Sequence, residues 1–596
     1  MMSYIPKNDW KPAEGINLTT EQNAVVQNVD KNLAIIAGPG TGKTEVLAQK
    51  ATYLLQTGLC HAPFRILALC YKVDAAANIR ERVQHRCPPD LSHRFQSMTV
   101  DAFLVSLIRR FSTSLPSWLQ LQRDFEPIDK TDEVDYLRSS NTKTFPDSYT
   151  KKVNILTENV DSDTMNLYLY ATNNNQIDYR MCHTLAYYII KKNKNIRELI
   201  SKTYQYIFLD EFQDVTDRHY EILQLLFCND CNKISAVGDY NQAIMGWAGA
   251  IPDIFNKFKT DFGAIEYQFS YNHRSSSEIV AFINTVVQKL TPSHYVPIVY
   301  QTNKPFDSTS FISAKSFNST AEEALYIVQC INKIRTDHKN LTLGDFAIIL
   351  KQKTADYLKN SEKVFTSYHI SVRNEDAKVC DKGATFQDLM VDSLSKLTIY
   401  LLKLKLGIIT VTEQKELHYL LSVILSLNLD KPRDIKKLHE TKRKIIKHEF
   451  ISAQTWIKDI FSIIPKIQIF NNLYQNKKSF NEAGKAILSL LQKCIDTNNG
   501  NLPLAIDEYL GVNSVRLMTT HKSKGLEFDT VFFADFHVNS WWALDKLEQK
   551  EESLRCFFVG LSRAKKRLFF TSPIKGYPKD IAEILNDSKM VINYNP

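Results

Sequence analysis

One glycine-rich loop constrains the fold of this chain more than any other feature of its sequence. The loop reads Ala37-Gly38-Pro39-Gly40-Thr41-Gly42-Lys43-Thr44 and joins the apolar run LAIIA (33–37) to the helix-like run EVLAQKATYLL (45–55). Because glycine has no Cβ, such a loop can wrap closely around an anion, and the helix that follows attracts phosphate. We therefore expect Lys43 to neutralise the β- and γ-phosphates of a nucleotide and Thr44 to hold Mg²⁺. Ala37 stands where the usual pattern has glycine.

A pair of acids at the end of another apolar run supports this interpretation. Asp210 ends the run YIFLD (206–210), and Glu211 follows it. Ligands of open α/β sheets bind beyond the carboxyl ends of the strands. Asp210 is therefore expected to anchor Mg²⁺ through water, and Glu211 to orient and deprotonate an attacking water. Hydrolysis of a phosphoanhydride depends mainly on such positioning and on neutralisation of charge.

Eight short apolar runs predict the strands of two parallel sheets. They lie at 33–37, 65–70, 206–210, 234–239, 345–350, 515–519, 530–535 and 567–572. Each run lies between helical segments, as buried parallel strands do. Two long segments with helical spacing of apolar residues interrupt the sheets and are too long to be loops, so we interpret them as helical insertions. The predicted parts are 1–115, 116–195 (helical insertion), 196–275, 276–355, 356–510 (helical insertion) and 511–596.

The composition is that of a globular protein without a membrane segment. Of the 596 residues 44% are hydrophobic, and no apolar run approaches the roughly 18 residues that a membrane helix needs. The ten cysteines are scattered and too few for a disulfide scaffold, so a cytoplasmic location is expected. Cys228 and Cys231 form one C-x-x-C without a second pair nearby, which favours ordinary thiols over a zinc site. The formal charge of +9 fits a polyanionic partner.

Seven further motifs carry a resemblance to a known family. Together with DEFQD (210–214), the motif VGDYNQAIMGWAGA (237–250) resembles the UvrD/Rep/PcrA helicases of superfamily 1. The other motifs are similar to those of the same family and follow in the same order: LTTEQ (18–22), LCYKVDAA (69–76), TVDAF (99–103), SYNHRSS (270–276), VRLMTTHKSKGLEF (515–528) and FVGLSRAKKRL (558–568). The resemblance implies an α/β protein with two RecA-like P-loop NTPase domains. Each parallel sheet would be interrupted by a mainly helical subdomain, with ATP bound between the domains.

The resemblance also implies roles for single residues at the nucleotide. Gln22 would read adenine, Gln242 would sense the γ-phosphate, and Glu527 would hydrogen-bond the ribose. Arg274 and Arg563 would reach across from the second domain as arginine fingers. Positive charge at the transition state accelerates phosphoryl transfer, so catalysis would depend on closure of the two domains. A surface ion pair is the alternative interpretation of either arginine.

On the DNA side, the resemblance implies stacking and contacts with the strand. Tyr71 and Trp247 would stack on bases, which suits a motor that reads no sequence because every base has a π-face. His521 and Lys524 would touch the strand and couple it to the ATP site. For both aromatic residues the alternative is a place in the hydrophobic core.

The chain departs from the family pattern at several of these contacts. Met245 and Ala248 stand where the family often has tyrosine and arginine, and Lys72-Val73-Asp74 stands where it usually has Thr-Asn-Lys. Asp101 replaces the usual histidine of the short motif. Each change removes a contact that the family pattern assigns to DNA, but none affects the acids, the lysine or the arginines of the ATP site.

Two further departures concern the adenine base. The residue after Lys-Thr is often an arginine that stacks on the base, and here it is Glu45. The tyrosine that covers the opposite face is replaced by His273. A carboxylate offers no cation–π attraction. The sequence therefore predicts a weak base clamp that an arginine at position 45 would strengthen.

The expected function is that of an ATP-dependent single-stranded DNA translocase and 3′→5′ helicase in repair, replication or recombination. Its cofactors would be ATP and Mg²⁺, and its partners single-stranded DNA and tailed or forked duplexes, with no membrane. The alternative is a DNA-stimulated ATPase subunit that senses DNA ends for a partner nuclease, for example in anti-phage defence, with little unwinding of its own. About thirty residues follow the last motif, so a nuclease or repair partner would be a separate subunit.

Overall fold

Fifteen strands and their connecting helices are defined in the part of the chain that the structure describes. This computed structural model describes residues 4–116, 119, 121–122, 125–128, 165, 168–169, 172–173, 175–290, 298–304, 307–380, 384–427, 431–474, 477–587 and 591–596. The strands are β1 Leu33–Ala37, β2 Arg65–Cys70, β3 Phe95–Thr99, β4 Glu126–Ile128, β5 Gln176–Asp178, β6 Tyr204–Leu209, β7 Lys233–Gly238, β8 Ile265–Phe269, β9 Phe311–Ser316, β10 Phe346–Leu350, β11 Val372–Asn374, β12 Val515–Thr519, β13 Phe528–Phe533, β14 Ala564–Ser572 and β15 Val591–Ile592.

The helices cover the faces of the two main sheets and fill the segment between β11 and β12. They are Thr20–Gln27, Lys43–Gln56, Val73–Arg86, Pro89–Ser92, Val100–Phe111, Tyr179–Lys192, Lys194–Thr203, Asp217–Phe227, Ile254–Phe262, Ser277–Leu290, Thr320–Asp337, Thr354–Ser367, Phe386–Val391, Ser393–Leu406, Val411–Ile424, Pro432–Lys447, Ala453–Ile463, Lys466–Leu473, Lys477–Thr497, Leu502–Leu510, Thr520–Ser523, Leu547–Leu561 and Lys579–Asp587.

The first sheet brings three of the predicted motifs to one edge. Its strand order is β3-β2-β6-β7-β1-β8, and β1 pairs in parallel with both β7 and β8. Every residue of β1 is buried, as expected of a central strand with helices on both faces. Parallel strands end at the same edge of a sheet. The loops that follow β1, β6 and β7 therefore lie side by side, and these loops carry the glycine-rich segment, DEFQD and Gln242.

The second sheet has seven strands in the order β11-β12-β10-β13-β14-β9-β15. Its paired strands are parallel throughout, from β11 with β12 to β15 with β9. The predicted fold class, an α/β protein with two parallel sheets, is confirmed. Val372–Asn374, which pairs with β12, lies inside the range that the sequence assigns to the second helical insertion.

The helices between Phe386 and Leu510 pack around a hydrophobic core of their own. Trp456 is completely buried there, among leucines and isoleucines of the surrounding helices. Much of the predicted first insertion, 116–195, lies outside the described residues. Within it, β4 pairs with β5, and the helix Tyr179–Lys192 packs against Val100–Phe111. Among the residues that the structure describes, we find no helix with both the length and the apolar character needed to span a membrane.

Candidate active site

The glycine-rich loop forms a tight cradle around the side chain of its lysine. Gly42 has φ of +83°, a left-handed conformation that favours glycine, and it directly precedes the helix that begins at Lys43. Lys43 Nζ donates hydrogen bonds to the carbonyl oxygens of Ala37 at 3.1 Å and Gly38 at 3.2 Å. Burial lowers the pKa of Lys43, and the nearby acids act in the opposite direction. The ammonium group is therefore held inside the loop, where a phosphate chain would need its charge.

The predicted metal-binding residues meet at the end of β6. Thr44 Oγ1 donates to Asp210 Oδ2 over 3.3 Å. Neighbouring ligand oxygens of an octahedral Mg²⁺ are separated by about 2.9 Å, so a hydroxyl and a carboxylate at this distance fit the ion after a small adjustment. Burial and the adjacent Glu211 raise the pKa of Asp210. A bound cation would reverse this effect, since it favours the charged carboxylate.

Glu211 is surrounded by cations and by an amide. Burial acts to raise its pKa, but Lys524 and Lys43 outweigh this effect and lower the pKa of Glu211 to about 2. Lys524 Nζ lies 3.4 Å from the carboxylate, and Gln213 Nε2 donates to it at 2.5 Å. The residue is therefore an ionised carboxylate at the mouth of the phosphate loop, as a group that orients water must be.

The two predicted arginine fingers enter the same cavity from the second sheet. Arg563 is buried, and its Nη2 lies 3.4 Å from Gln242 Oε1. Burial and then Arg274 lower the pKa of Arg563 to about 9. Arg274 Nε donates to Glu527 Oε2 at 2.6 Å, and Gln242 Nε2 donates to Asp239 at 2.7 Å. These ties hold both guanidinium groups in place beside the phosphate loop.

One cavity of about 500 Å³ brings together nearly all the predicted nucleotide-binding residues. It is lined by Gly38, Pro39, Gly40, Thr41, Gly42, Lys43, Thr44, Glu45, Asn78, Arg82, Glu211, Gln242, His273, Arg274, Gly525, Glu527 and Arg563. Both sheets contribute to this lining. Of the remaining predicted residues, Ala37 and Asp210 contact the lining through the bonds described above.

Gln22 lies just behind the phosphate loop. Its Oε1 accepts from the backbone N–H of Thr19 at 2.9 Å, and its Nε2 donates to the carbonyl of Thr41, also at 2.9 Å. These bonds fix the orientation of the amide relative to the loop. A primary amide has two N–H groups and two acceptor lone pairs, so one donor and one acceptor position remain for a base.

Sequence reasoning missed the partners of Glu45. The carboxylate accepts hydrogen bonds from Arg82 and, at 3.0 Å, from Arg86, and Arg82 also lines the nucleotide cavity. Asn78, Arg82 and Arg86 recur every four residues on the helix Val73–Arg86. This spacing places them on one face and was a signal present in the sequence. The negative charge at position 45 is therefore neutralised within the protein.

A second cavity, a groove of about 800 Å³, runs between the two sheets beside the nucleotide cavity. Three of the four predicted DNA-binding residues, Tyr71, His521 and Lys524, line it. Tyr71 is partly exposed, and burial raises its pKa to about 12. The fourth residue, Trp247, belongs to the 3₁₀ turn Gly246–Ala248, and its side chain lies outside the described part of the structure.

Lys524 differs from a freely exposed DNA contact. It is only 4% exposed, and its Nζ donates to Asp214 at 2.5 Å and to the carbonyl oxygen of Gln242 at 3.1 Å. Burial acts to lower its pKa, but Glu211 and Asp214 outweigh this effect and raise it. The lysine thus lies in the wall between the groove and the nucleotide cavity and is bonded to residues of both.

The groove contains an exposed aromatic residue that sequence reasoning did not identify. Trp542 is 43% exposed and lines the groove. The ammonium groups of Lys546 and Lys351 lie 4.4 and 5.9 Å from the centre of its ring. An exposed indole flanked by cations is the combination that binds single strands by stacking and charge. Trp542 lies in none of the sequence motifs, so no signal in the sequence identified it.

Comparisons with known proteins agree with this geometry. The model of the UvrD/REP helicase N-terminal domain matches residues 18–171 and 141–263, and that of the UvrD-like helicase C-terminal domain matches residues 408–573. A probable DNA helicase II homolog of Mycoplasma capricolum is 26% identical over 96% of this chain and 87% of that protein. The helicase PcrA of Staphylococcus epidermidis is 23% identical over 93% of this chain and 83% of its own length. The helicase Rep of Buchnera aphidicola is 24% identical over 93% of each chain.

The family models together cover more than half of the chain, and they include the glycine-rich loop, DEFQD and both late motifs. The same residues meet in the cavity between the two sheets. The chain belongs to the UvrD/Rep family of ATP-dependent DNA helicases.

Proposed function

We propose that this helicase is a 3′→5′ translocase on single-stranded DNA that unwinds tailed or forked duplexes in repair, replication or recombination. The observation that carries the proposal is the shared wall between the groove and the nucleotide cavity. Lys524 lines the groove and is bonded to Asp214 and Glu211 behind it. A strand that moves in the groove would therefore act directly on the acids that serve hydrolysis. The 3′→5′ polarity rests on the resemblance of the motifs alone.

The nucleotide cavity supports hydrolysis of ATP by positioning and charge. Lys43 and the backbone of 37–44 would bind the phosphate chain, and Glu211 would orient the attacking water. Gln242 would contact the γ-phosphate and relay its presence to Arg563, which lies 3.4 Å from it. Arg274 and Arg563 would stabilise the charge that develops in the transition state.

Thr44 and Asp210 would hold Mg²⁺, which neutralises phosphate charge when bound. Gln22 would pair with adenine. Glu527, held by Arg274 at 2.6 Å and by Lys565 at 2.9 Å, would reach the ribose. These assignments account for the metal, the base and the ribose of the nucleotide.

In the groove, stacking and charge would hold the strand. Tyr71, Trp542 and Trp247 would stack on bases, and His521 would contact the backbone of the strand. Burial lowers the pKa of His521, and Lys72 acts in the same direction, so a neutral imidazole is expected there. A neutral ring donates one hydrogen bond to a phosphate without fixing the strand in place, which suits a motor. We also propose the six-part division of the chain, except that Val372–Asn374 belongs to the second sheet and not to the helical insertion.

A strand-displacement assay with the protein alone tests the proposal. Duplexes with a 3′ tail, a 5′ tail or blunt ends are compared at equal protein concentration with ATP and Mg²⁺. We expect displacement of the 3′-tailed duplex and none with the Lys43→Ala variant. Displacement of only the 5′-tailed duplex would overturn the polarity. ATPase activity that DNA stimulates, without displacement of any duplex, would overturn unwinding and favour an ATPase that serves a partner nuclease.

A further inference from the structure

Three potential metal ligands lie close together in the first domain, outside the nucleotide cavity. His183 Nε2 lies 2.7 Å from Asp101 Oδ1, His219 Nε2 lies 3.7 Å from the same oxygen, and the two Nε2 atoms are 3.3 Å apart. All three atoms fit within 4.8 Å of one another. The helices Val100–Phe111, Tyr179–Lys192 and Asp217–Phe227 each contribute one of them.

Hydrogen bonding accounts for only part of this cluster. One imidazole N–H can donate to Asp101 at 2.7 Å. The second Nε2, on His219, is 3.7 Å from the carboxylate oxygen and therefore beyond hydrogen-bonding distance. It lies within hydrogen-bonding distance of His183 Nε2, at 3.3 Å, but an imidazole nitrogen that donates to Asp101 has no lone pair left to accept from His219. Two nitrogen atoms and one oxygen atom thus lie within 3.7 Å of one another.

The three separations match those around a tetrahedral ion. Zinc binds nitrogen at about 2.0–2.1 Å and carboxylate oxygen at about 2.0–2.2 Å, which places neighbouring ligands about 3.3 Å apart. The observed 2.7, 3.3 and 3.7 Å lie on both sides of this value. Two imidazoles and one carboxylate suit zinc better than Mg²⁺ or Ca²⁺, which prefer oxygen ligands alone.

The protonation states also suit a metal. Burial lowers the pKa of His219, which keeps its ring neutral. Burial acts to raise the pKa of Asp101, but the hydrogen bond to His183 and the nearby imidazole of His219 outweigh this effect and hold the pKa well below its ordinary range. A neutral imidazole and an ionised carboxylate are the forms that bind metal. His219 is buried, whereas His183 and Asp101 are partly exposed, so solvent reaches one side of the cluster.

We propose that Asp101, His183 and His219 form a Zn²⁺ site with its fourth position open to solvent. The ion would tie the helix after β3 to the helices that precede β6 and follow DEFQD. It would also lie near Tyr71, since the charge of Asp101 is among those that raise the pKa of Tyr71, after burial and Asp214. The site therefore stabilises the wall of the first domain beside the DNA groove.

Zinc titration of the purified full-length protein tests the site. The protein is stripped with EDTA and titrated with ZnCl₂ by calorimetry in excess Mg²⁺, which occupies oxygen-rich sites. Cys228 and Cys231, both exposed, are replaced by serine in every sample, because this pair could bind zinc in solution. We expect one Zn²⁺ per chain and a rise in Tm on binding. A stripped protein that binds no Zn²⁺ at micromolar concentration would overturn the proposal.

Variants of near-equal shape locate the site. Asp101→Asn, His183→Gln and His219→Gln should each weaken zinc binding by about 100-fold or more, because each removes a ligand. The matched control, His369→Gln, changes an exposed histidine outside the cluster and should bind as the parent does. Co²⁺ substitution adds a second readout: a tetrahedral site gives visible absorption bands that the three variants should lose. Unchanged affinity in all three variants would place the zinc elsewhere and overturn the assignment.

Discussion

The nucleotide cavity and the DNA groove lie side by side, but the sequence predicted the residues of the cavity more completely than those of the groove. In the nucleotide cavity Lys43, Glu211 and both arginines, all predicted from motifs, line a single space. In the groove, Met245 stands where the family often has tyrosine, and an unpredicted tryptophan, Trp542, is exposed. Binding and hydrolysis of a phosphate chain require a particular charge and a particular atom at each position, so few residue types can serve there. Stacking requires only a flat ring at the right place, so another loop can provide it.

The largest expected effect is that of Lys43→Ala, which should abolish the function of the nucleotide cavity and leave that of the groove intact. Lys43→Ala should reduce ATP hydrolysis by at least about 10²–10³-fold, because it removes the charge that neutralises phosphate. Binding of single-stranded DNA should remain within about twofold of wild type, since Lys43 does not line the groove. Steady-state ATPase and fluorescence anisotropy measure the two quantities. The exposed Lys194→Ala is the control, and hydrolysis near wild type in Lys43→Ala would remove the phosphate-loop assignment.

Arg563→Ala should lower kcat by about 10³-fold and change KM for ATP little, because a finger acts mainly on the transition state. Arg563→Lys keeps the charge but loses the forked guanidinium group that reaches Gln242. Its kcat should therefore lie between those of the wild type and Arg563→Ala. Arg563 is buried, and thermal melts must show that both variants are folded. A raised KM with unchanged kcat at saturation would make Arg563 a binding group instead of a finger.

Lys524→Ala tests the connection between the two regions. We expect single-stranded DNA to lose its stimulation of ATPase activity. The free energy of unfolding should fall by about 3 kcal/mol, since Asp214 would be left as a buried acid without its cation and Glu211 would lose one of its cations. Lys522→Ala is a matched control two residues away. That lysine also lines the groove, but it pairs with the exposed carboxylate of Asp388 at 3.3 Å and should cost at most about 1 kcal/mol. Retained DNA stimulation in Lys524→Ala would separate the groove from hydrolysis.

The strands that the sequence predicted and those it missed differ in burial. All eight predicted runs form strands, and the central ones, such as Leu33–Ala37 and Phe346–Leu350, are buried throughout. Phe95–Thr99, Ile265–Phe269 and Phe311–Ser316 were missed. Most of their residues are partly buried or exposed, and these strands lack a continuous apolar run. A strand near the edge of a sheet contacts fewer neighbours and tolerates polar residues.

Contacts between residues that are distant in the sequence limited how much of the site could be predicted. Lys524 and Asp214 are 310 residues apart, and His183 and Asp101 are 82 apart. A motif fixes neighbours within a loop or a helix turn, but it cannot say which side chain of another domain will meet them. Motif order therefore predicted which residues gather at the nucleotide, whereas the bonds of Lys524 and Glu45 required the structure.

Trp542→Ala tests whether this unpredicted tryptophan of the groove stacks on a base of single-stranded DNA. Loss of one stacked base costs about 1–3 kcal/mol, so affinity for single-stranded DNA should fall by about tenfold, with the basal ATPase unchanged. Trp542→Phe keeps a ring and should retain most of the affinity. Trp247→Ala and Tyr71→Ala, measured in parallel, show how the stacking is divided. Unchanged DNA affinity in Trp542→Ala would assign that ring to another surface.

The smallest expected effect concerns the adenine end of the nucleotide cavity. The departure at position 45 predicts that Glu45→Arg should tighten ATP binding, but the contacts of Glu45 favour the opposite result. Glu45 accepts hydrogen bonds from Arg82 and Arg86. An arginine at position 45 would bring three guanidinium groups together and release Arg82 from the position in which it lines the cavity.

A base that stacks on Arg82 would gain about 1 kcal/mol, so Glu45→Arg and Arg82→Ala should each raise KM for ATP by roughly fivefold. Arg86→Ala is the matched control, because Arg86 also bonds to Glu45 but does not line the cavity, and its KM should change less. Gln22→Ala should instead erode the preference for ATP over GTP, since hydrogen bonds discriminate between bases more strongly than stacking does. A lower KM for ATP in Glu45→Arg would restore the simple missing-clamp interpretation and would show that Arg82 does not hold the base.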